Sequence, residues 1–227
     1  MVSAVIVAAG SSRRMGFDKL FAPLAGWPVV AHSIAAFEAT PDIGEIILVI
    51  QAGRKPEFEE MIRAGGFRKV ACIVDGGAER HLSVWNGLQA AAPGADCIAI
   101  HDGARPLITP PVIAAAIALA RSSGAACVAA PIPDTVKRAS DAGIVLESVD
   151  RSGLWAMQTP QIFSKPLIMR AYQAIIEAGE LVTDEVSAVQ RIGAPIALLR
   201  NDDWNIKVTV PHDLDLAAQL LRSRGIQ

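Results

Sequence analysis

The chain has 227 residues, 52% hydrophobic and 19% charged, with a mean hydropathy of +0.35. That is too much apolar side chain for disorder and enough length to bury a substantial core. Twenty-one Lys and Arg against 23 Asp and Glu give a formal net charge of −2, which argues against broad electrostatic binding to DNA, RNA or an anionic membrane but leaves room for a small basic pocket. Aromatic residues are only 5% of the chain, so the core has to be built from Ala, Val, Ile and Leu. Cys72, Cys97 and Cys127 are far apart, lie in apolar runs and lack zinc-type spacing, the pattern of reduced buried cysteines in a cytoplasmic protein. The N-terminus has no basic n-region, and the apolar stretch around 112–120 is too short to cross a bilayer. A soluble cytoplasmic protein is expected.

In chain order, short β-rich runs alternate with helical patterns. Strands are expected at 4–7, 45–50, 70–74, 96–100 and 126–130, most of them nearly continuous apolar runs, as when both faces of a strand are covered. Between them Val30, Ile34 and Phe37 share one helical face, and 56–64, 81–91 and 111–121 also read as helices. The alternation predicts a parallel sheet with crossover helices. After Pro131 the rhythm breaks. Residues 134–139 and 143–149 read as two strands joined by the turn Ser140-Asp141-Ala142-Gly143, a hairpin or arm projecting from the sheet. A short apolar piece follows near 155–163, then a helix with Ile168, Tyr172 and Ile175 on one face. Another helix is expected to start with Thr183 as N-cap and with Asp184 and Glu185 in its first turn. Strands at 196–199 and 205–209 and a C-terminal helix with the stripe Leu214, Ala217 and Leu221 complete the chain. Without an internal repeat or linker, residues 1–227 are expected to form one α/β domain carrying an arm at about 133–155.

The first strand runs into Ala8-Ala9-Gly10-Ser11-Ser12-Arg13-Arg14-Met15-Gly16-Phe17-Asp18-Lys19. In an open parallel sheet ligands bind at the carboxyl ends of strands. Small residues there let backbone N–H groups approach a phosphate, and Arg13, Arg14 and Lys19 add positive charge. No Gly-Lys-Ser/Thr follows, and Ser12 and Arg13 break the dinucleotide glycine pattern. So many cations fit a triphosphate that gains charge in a transition state. A solvated basic turn is the bland alternative.

Ala-Ala-Gly-x-x-x-Arg-Met-Gly followed by Lys resembles the signature of pyrophosphate-releasing nucleotidyltransferases. Several further segments are similar to those of the 2-C-methyl-D-erythritol 4-phosphate cytidylyltransferase family: Asp75-Gly76-Gly77-Ala78-Glu79-Arg80 with Ser83-Val84, His101-Asp102-Gly103-Ala104-Arg105-Pro106, and Asp134-Thr135-Val136-Lys137. So are Val149-Asp150-Arg151-Ser152-Gly153-Leu154-Trp155, Gln158-Thr159-Pro160-Gln161, Thr183-Asp184-Glu185 and Asn205-Ile206-Lys207-Val208-Thr209. The segments are collinear over nearly the whole chain. Lys19 follows Arg14 sooner than in many family members, and Gly103 stands where Ala is usual.

The resemblance implies a Rossmann-like, mostly parallel sheet with flanking helices and an inserted β-arm for dimerisation. It implies transfer of a cytidylyl group from CTP to 2-C-methyl-D-erythritol 4-phosphate, giving the CDP-linked polyol and pyrophosphate in the non-mevalonate route to isoprenoid precursors. A ribitol-5-phosphate cytidylyltransferase, or another nucleotidyltransferase of the same fold, is the alternative. Arg14, Lys19 and Lys207 match the catalytic cations of the family, and Ala8, Ala9, Gly10, Gly77 and Ser83 its nucleotide-binding positions. Asp102, Arg105, Thr135, Arg151 and Thr159 match positions that bind the acceptor. Mg²⁺ is the expected cofactor, held by substrate phosphates and a carboxylate; Asp102 is the best candidate ligand, with contact to the acceptor hydroxyls or a turn-capping role as the other readings. A homodimer follows by resemblance, with Arg151, and Lys137 beside it, acting across the interface. His32, His81, His101 and His212 show no ligand spacing and read as structural.

Overall fold

The computed structural model describes residues 1–10 and 15–226. β1 (Val2–Ala8) leads through a small hairpin, β2 (Pro23–Leu24) and β3 (Trp27–Pro28), into α1 (Val29–Glu38). β4 (Ile43–Ile50), α2 (Lys55–Gly65), β5 (Val70–Asp75), α3 (Arg80–Ala90), β6 (Cys97–Asp102), α4 (Pro110–Ser123) and β7 (Ala125–Pro131) continue the alternation. The arm is β8 (Val136–Ala139) paired with β9 (Val145–Val149). β10 (Trp155–Ser164), α5 (Lys165–Ala178), α6 (Glu185–Arg191), β11 (Ala197–Arg200) and α7 (His212–Ser223) complete the chain.

The central sheet has the order β11-β7-β10-β6-β1-β4-β5. All its pairs are parallel except the two made by β10, which runs antiparallel to both β6 and β7. It is the expected mostly parallel α/β sheet with helices on both faces. Side chains of β1 alternate between the two cores, as strand geometry requires. Ile6 packs with Leu48, Phe37 and the apolar faces of α1, α2 and α4. Val5 packs with Val49, Val84, Leu88 and Tyr172 beneath α3, α5 and α6. α3 approaches so closely that a Cβ at Gly87 would lie 2.5 Å from Val5 Cγ1 and 2.8 Å from Val49 Cγ2. A third cluster, in which Ala217 and Leu221 of α7 pack with Val208, Leu107, Leu24 and Met15, anchors the segment that carries Lys207.

Four elements differ from expectation. The piece near 155–163 is a full ten-residue strand, because its polar residues are satisfied inside the molecule. The segment 205–209 is not a strand and has no ladder partner among the described residues; Val208 N–H donates to Ala104 O at 2.8 Å instead. The N-cap of α6 is Asp184, whose carboxylate accepts the Ser187 N–H at 3.0 Å, a shorter reach than the exposed Thr183 one position earlier offers. The β2–β3 hairpin turns through Ala25 (φ 43°) and Gly26 (φ 77°), positive angles at both central residues that Asn-Gly usually supplies.

Candidate functional site

The carboxyl ends of β1, β4 and β6 open into a cavity of about 540 Å³. Its floor is Val7, Ala8, Ala9 and Gly10 with Gln51. One wall is Gly77–Arg80 and Ser83, where β5 turns into α3; the other carries Lys19, Leu20, Asp102, Ala104 and Lys207. Side-chain atoms are sparse at the β1–β5 end. Ser83 Oγ accepts the Gly77 N–H at 3.1 Å and donates to Glu79 O at 3.1 Å, which pins the loop to the helix. A Cβ on Gly77 would run into Leu82 Cβ and lie 3.1 Å from the Leu82 carbonyl carbon, so the loop cannot keep this path with a larger residue.

The other end is charged, and its centre is Asp102, the last residue of β6. Arg80 donates to Oδ1 from Nη2 at 3.0 Å and from Nε at 3.3 Å. Lys207 Nζ lies 2.8 Å from Oδ2, and Arg105 Nε 3.6 Å from the same oxygen. Burial alone would raise the carboxyl pKa, but Arg80 first, then Lys207 and Arg105, hold it well below the usual carboxylate range. Burial lowers Arg105, with Asp102 opposing. For Arg80 the loss of water is outweighed by Glu185 and Asp102, which raise it. The Asp102 main chain is fixed as well: its N–H donates to Thr159 Oγ1 at 3.1 Å, and that hydroxyl meets His101 Nδ1 at 2.9 Å. His101 Nε2 lies 3.3 Å from Arg105 O. Burial drives the imidazole down to about 3, so it stays neutral and structural.

Of the residues singled out in the sequence, Ala8, Ala9, Gly10, Lys19, Gly77, Ser83, Asp102 and Lys207 converge on the cavity. Lys19 Nζ donates to Val208 O at 3.0 Å, next to Lys207. Arg105 and Thr159 are not on the cavity wall; both contact Asp102, and Arg105 Nη1 donates to Asn205 O at 2.7 Å. Thr135 and Arg151 are exposed on the arm and do not reach the cavity of their own chain; Arg151 donates to Pro133 O. Lys137 bonds Ser148 across the arm. Arg14 lies outside the described residues.

Lys207 reaches Asp102 without a sheet to orient it. Its segment is held by Asn205 Nδ2, which donates to Gln158 Oε1 at 3.1 Å and to Thr159 O at 2.8 Å. The strand-like alternation survives: Val208 is fully buried in the α7 cluster while Lys207 turns to the cavity. Sequence reasoning assigned no role to Arg80, quoted only as part of a loop segment, or to Glu185, read as a first-turn acid and quoted only within the segment Thr183-Asp184-Glu185. The two meet at 2.5 Å. No local pattern marks such a pair, since an acid in a first helical turn is ordinarily a dipole partner.

The description "IspD: 2-C-methyl-D-erythritol 4-phosphate cytidylyltransferase" belongs to the family model that matches residues 2–223. A relative from Alkaliphilus oremlandii (strain OhILAs) carrying the same enzyme name is 41% identical over 226 residues, covering 98% of this chain and 95% of its own. One from Geobacillus kaustophilus (strain HTA426), again so named, is 42% identical over 224 residues, covering 97% of each chain. Among solved structures, the 4-diphosphocytidyl-2C-methyl-D-erythritol synthase of Anaerococcus prevotii superposes with a TM-score of 0.86 at 28% identity, covering 98% of this chain and 96% of that one. The 2-C-methyl-D-erythritol 4-phosphate cytidylyltransferase of Thermus thermophilus gives 0.81 at 29% identity, covering 98% and 100%.

Proposed function

The chain belongs to the 2-C-methyl-D-erythritol 4-phosphate cytidylyltransferase family, and from that membership we infer its reaction. It transfers the cytidylyl group of CTP to 2-C-methyl-D-erythritol 4-phosphate and releases pyrophosphate, a step of the non-mevalonate route to isoprenoid precursors. The observation that carries this reading is a family match over residues 2–223 of the same chain whose strand ends enclose a cavity with small-residue backbone at one end and Lys19, Arg80 and Lys207 at the other. The ribitol-5-phosphate alternative is not favoured, since the family model and the relatives carry the methylerythritol name.

The nucleophile is an acceptor phosphate oxygen, already anionic at neutral pH, so no general base is needed. That oxygen forms a bond to the α-phosphorus while the bond to the bridging oxygen of the leaving pyrophosphate breaks. The barrier lies in bringing two polyanions together and in the charge that builds on the α-phosphate and the leaving group, so catalysis consists of positioning and cation placement. In our reading Lys207 and Lys19, with Arg14, bind the triphosphate and the charge that develops on it, and Asp102 holds Lys207 at the wall until the nucleotide arrives. Ala8–Gly10, Gly77 and Ser83 line a small-residue end of the cavity that suits a cytosine read by main-chain and hydroxyl groups.

Among the described residues no group of three metal-ligating side chains occurs. Asp102 faces the cavity with both oxygens engaged by cations, so it would hold an ion only through Oδ2 once Lys207 turns to the triphosphate, and that ion would keep most of its ligands from phosphate and water, as Mg²⁺ does. We propose Asp102 as its protein ligand; when bound, Mg²⁺ supplies charge neutralisation on the phosphates. The acceptor side is proposed to be completed in a homodimer, with Arg151 and Thr135 delivered by the partner's arm, in the cytoplasm.

A pyrophosphate-release assay with CTP and either acceptor tests the reaction, and preference for ribitol 5-phosphate would reverse it. Mixing Arg151→Ala with Lys207→Ala tests the shared site. Random pairing predicts recovery of about a quarter of wild-type activity, since mixed dimers retain one intact site of two; no recovery removes the cross-subunit arm.

A further inference from the structure

The mechanism leaves one expensive arrangement unexplained. Glu185, the first residue of α6, has a side chain with 0% exposure. A carboxylate is not carried out of water without strong compensation, and here it comes from two groups. Arg80 approaches Oε1 with Nη1 at 2.5 Å and Oε2 with Nη2 at 3.3 Å, and the Tyr172 hydroxyl donates to Oε1 at 3.1 Å. The same guanidinium donates to Asp102 Oδ1 with Nε and Nη2. Arg80 is therefore clamped between two carboxylates, one wholly buried and one on the cavity wall, and α3, α5, α6 and β6 meet at this point.

The division of Asp102 is what gives the clamp its use. Arg80 takes only Oδ1; Oδ2 is left to Lys207 at 2.8 Å, with Arg105 Nε farther off at 3.6 Å. A guanidinium with a single anionic partner prefers the fork geometry that engages both oxygens of one carboxylate. Glu185, by holding Nη1 and sharing Nη2, fixes how the Nε–Nη2 edge of Arg80 meets Asp102, so that both donors fall on Oδ1 instead of one on each oxygen. We propose that Glu185 is a positioning residue that acts through Arg80, fixing the orientation of Asp102 so that its second oxygen seats the Lys207 ammonium at the cavity wall. This rests on the reading of Lys207 as a phosphate cation. Glu185 touches neither substrate nor reacting atoms.

The substitution Glu185→Gln keeps the length of the side chain and an oxygen for Tyr172 but removes the charge that holds Arg80. Arg80 then closes on both oxygens of Asp102, and Lys207 loses its seat. A cation whose main role is in the transition state affects kcat more than nucleotide binding. Steady-state kinetics on full-length protein, with the folded fraction checked by circular dichroism at the assay temperature, should show a kcat drop of about tenfold or more, with KM for CTP within about threefold of wild type. The double variant Glu185→Gln, Arg80→Gln should be no slower than Arg80→Gln alone, because the two residues form one chain of action. A purely structural salt bridge predicts lower thermal stability with wild-type kcat in the folded fraction, and that result overturns the proposal, as does full additivity in the double variant. If Glu185→Gln yields no folded protein, Tyr172→Phe removes one Glu185 partner while keeping the ring; a kcat drop at constant KM supports the proposal and an unchanged kcat overturns it. Lys207→Ala, run alongside, separates the two readings: near-wild-type kcat there removes both, whereas a large loss there with wild-type kcat in Glu185→Gln removes only this one.

Discussion

Asp102→Asn keeps the shape of the side chain and removes its charge, and the geometry determines which cations suffer. Three cations and two carboxylates make up the cluster: Arg80, Arg105 and Lys207 against Asp102 and Glu185. Arg80 keeps Glu185. Lys207, with 36% of its side chain exposed, can rehydrate. Arg105 cannot: its side chain is 13% exposed, its Nε has no hydrogen-bond partner among the described residues, and Asp102 is its nearby carboxylate. Removing one partner of a buried pair costs about 3–5 kcal/mol, and with a single stranded cation the lower end applies, about 3 kcal/mol. For a chain of this length that lowers the melting temperature by about 6–12 °C. Differential scanning calorimetry of the two proteins at pH 7 in low salt checks it. Pyrophosphate should raise the melting temperature of the variant more than that of the wild type, because it supplies the missing negative charge. A variant that melts within about 2 °C of wild type would show that the cluster has no net electrostatic dependence on Asp102, and the account of the cavity's charged end would fail.

Three further outcomes are expected. Gly87→Ala puts a methyl 2.5 Å from Val5 Cγ1; overpacking of about 1–3 kcal/mol outweighs the gain of about 1 kcal/mol in helix propensity, so urea midpoints should fall, and KM for CTP should rise because Ser83 sits on the same helix; equal or higher stability refutes the close packing. His101 stays neutral to about 3 in the fold, while the unfolded imidazole takes up a proton near its ordinary value of 6.5. The unfolded state therefore binds more protons as pH falls through that window, and stability drops by about 2 kcal/mol from pH 7 to pH 5. Urea melts of wild type and His101→Asn should differ in their pH dependence by that amount, and identical dependences refute the assignment. The Cys127 thiol, pushed up to about 12 chiefly by burial, should resist iodoacetamide at pH 8 until urea unfolds the chain, with half-buried Cys72 labelled first; early labelling of Cys127 in peptide mass maps contradicts its position in the core.

What can be read from the sequence, and what cannot, divides along the range of the forces involved. β1, β4, β6 and β7 are legible because a strand covered on both faces must be apolar at almost every position. The cavity follows from topology: the chain that leaves β1 does so at a carboxyl end of the sheet, where Asp102 of the neighbouring β6 also lies. The β2–β3 hairpin escapes because Ala25 takes a positive φ that its side chain does not announce. A two-residue alternation assigns Lys207 to a strand, and the alternation is real, but loop and side-chain partners rather than a ladder enforce it. The Arg80–Glu185 pair spans 105 positions of chain, and neither residue shows a local sign of the other. The placements of Thr135 and Arg151 near an acceptor come from resemblance alone; within one chain the arm holds them away from the cavity.

β10 explains how one fold carries both a rigid site and a projecting arm. Its polar residues look wrong for a buried strand, and they concentrate where it leaves the β7 ladder, between Met157 and Gln161. Thr159 there accepts the Asp102 N–H, its carbonyl and Gln158 hold Asn205 ahead of Lys207, and Gln161 reaches both Asp184 Oδ2 and the Val186 N–H at the start of α6. One irregular stretch thus positions Asp102, the Lys207 segment and the helix that bears Glu185. At its other end the same strand begins where the arm returns: Trp155 pairs with Pro131, and Ile132 N–H donates to Leu154 O. A regular apolar strand at this position would pack as well, but it would give the site no polar anchor. The departure from strand pattern is therefore where the sheet connects its core to its chemistry, and the root of the arm is fastened to the same element.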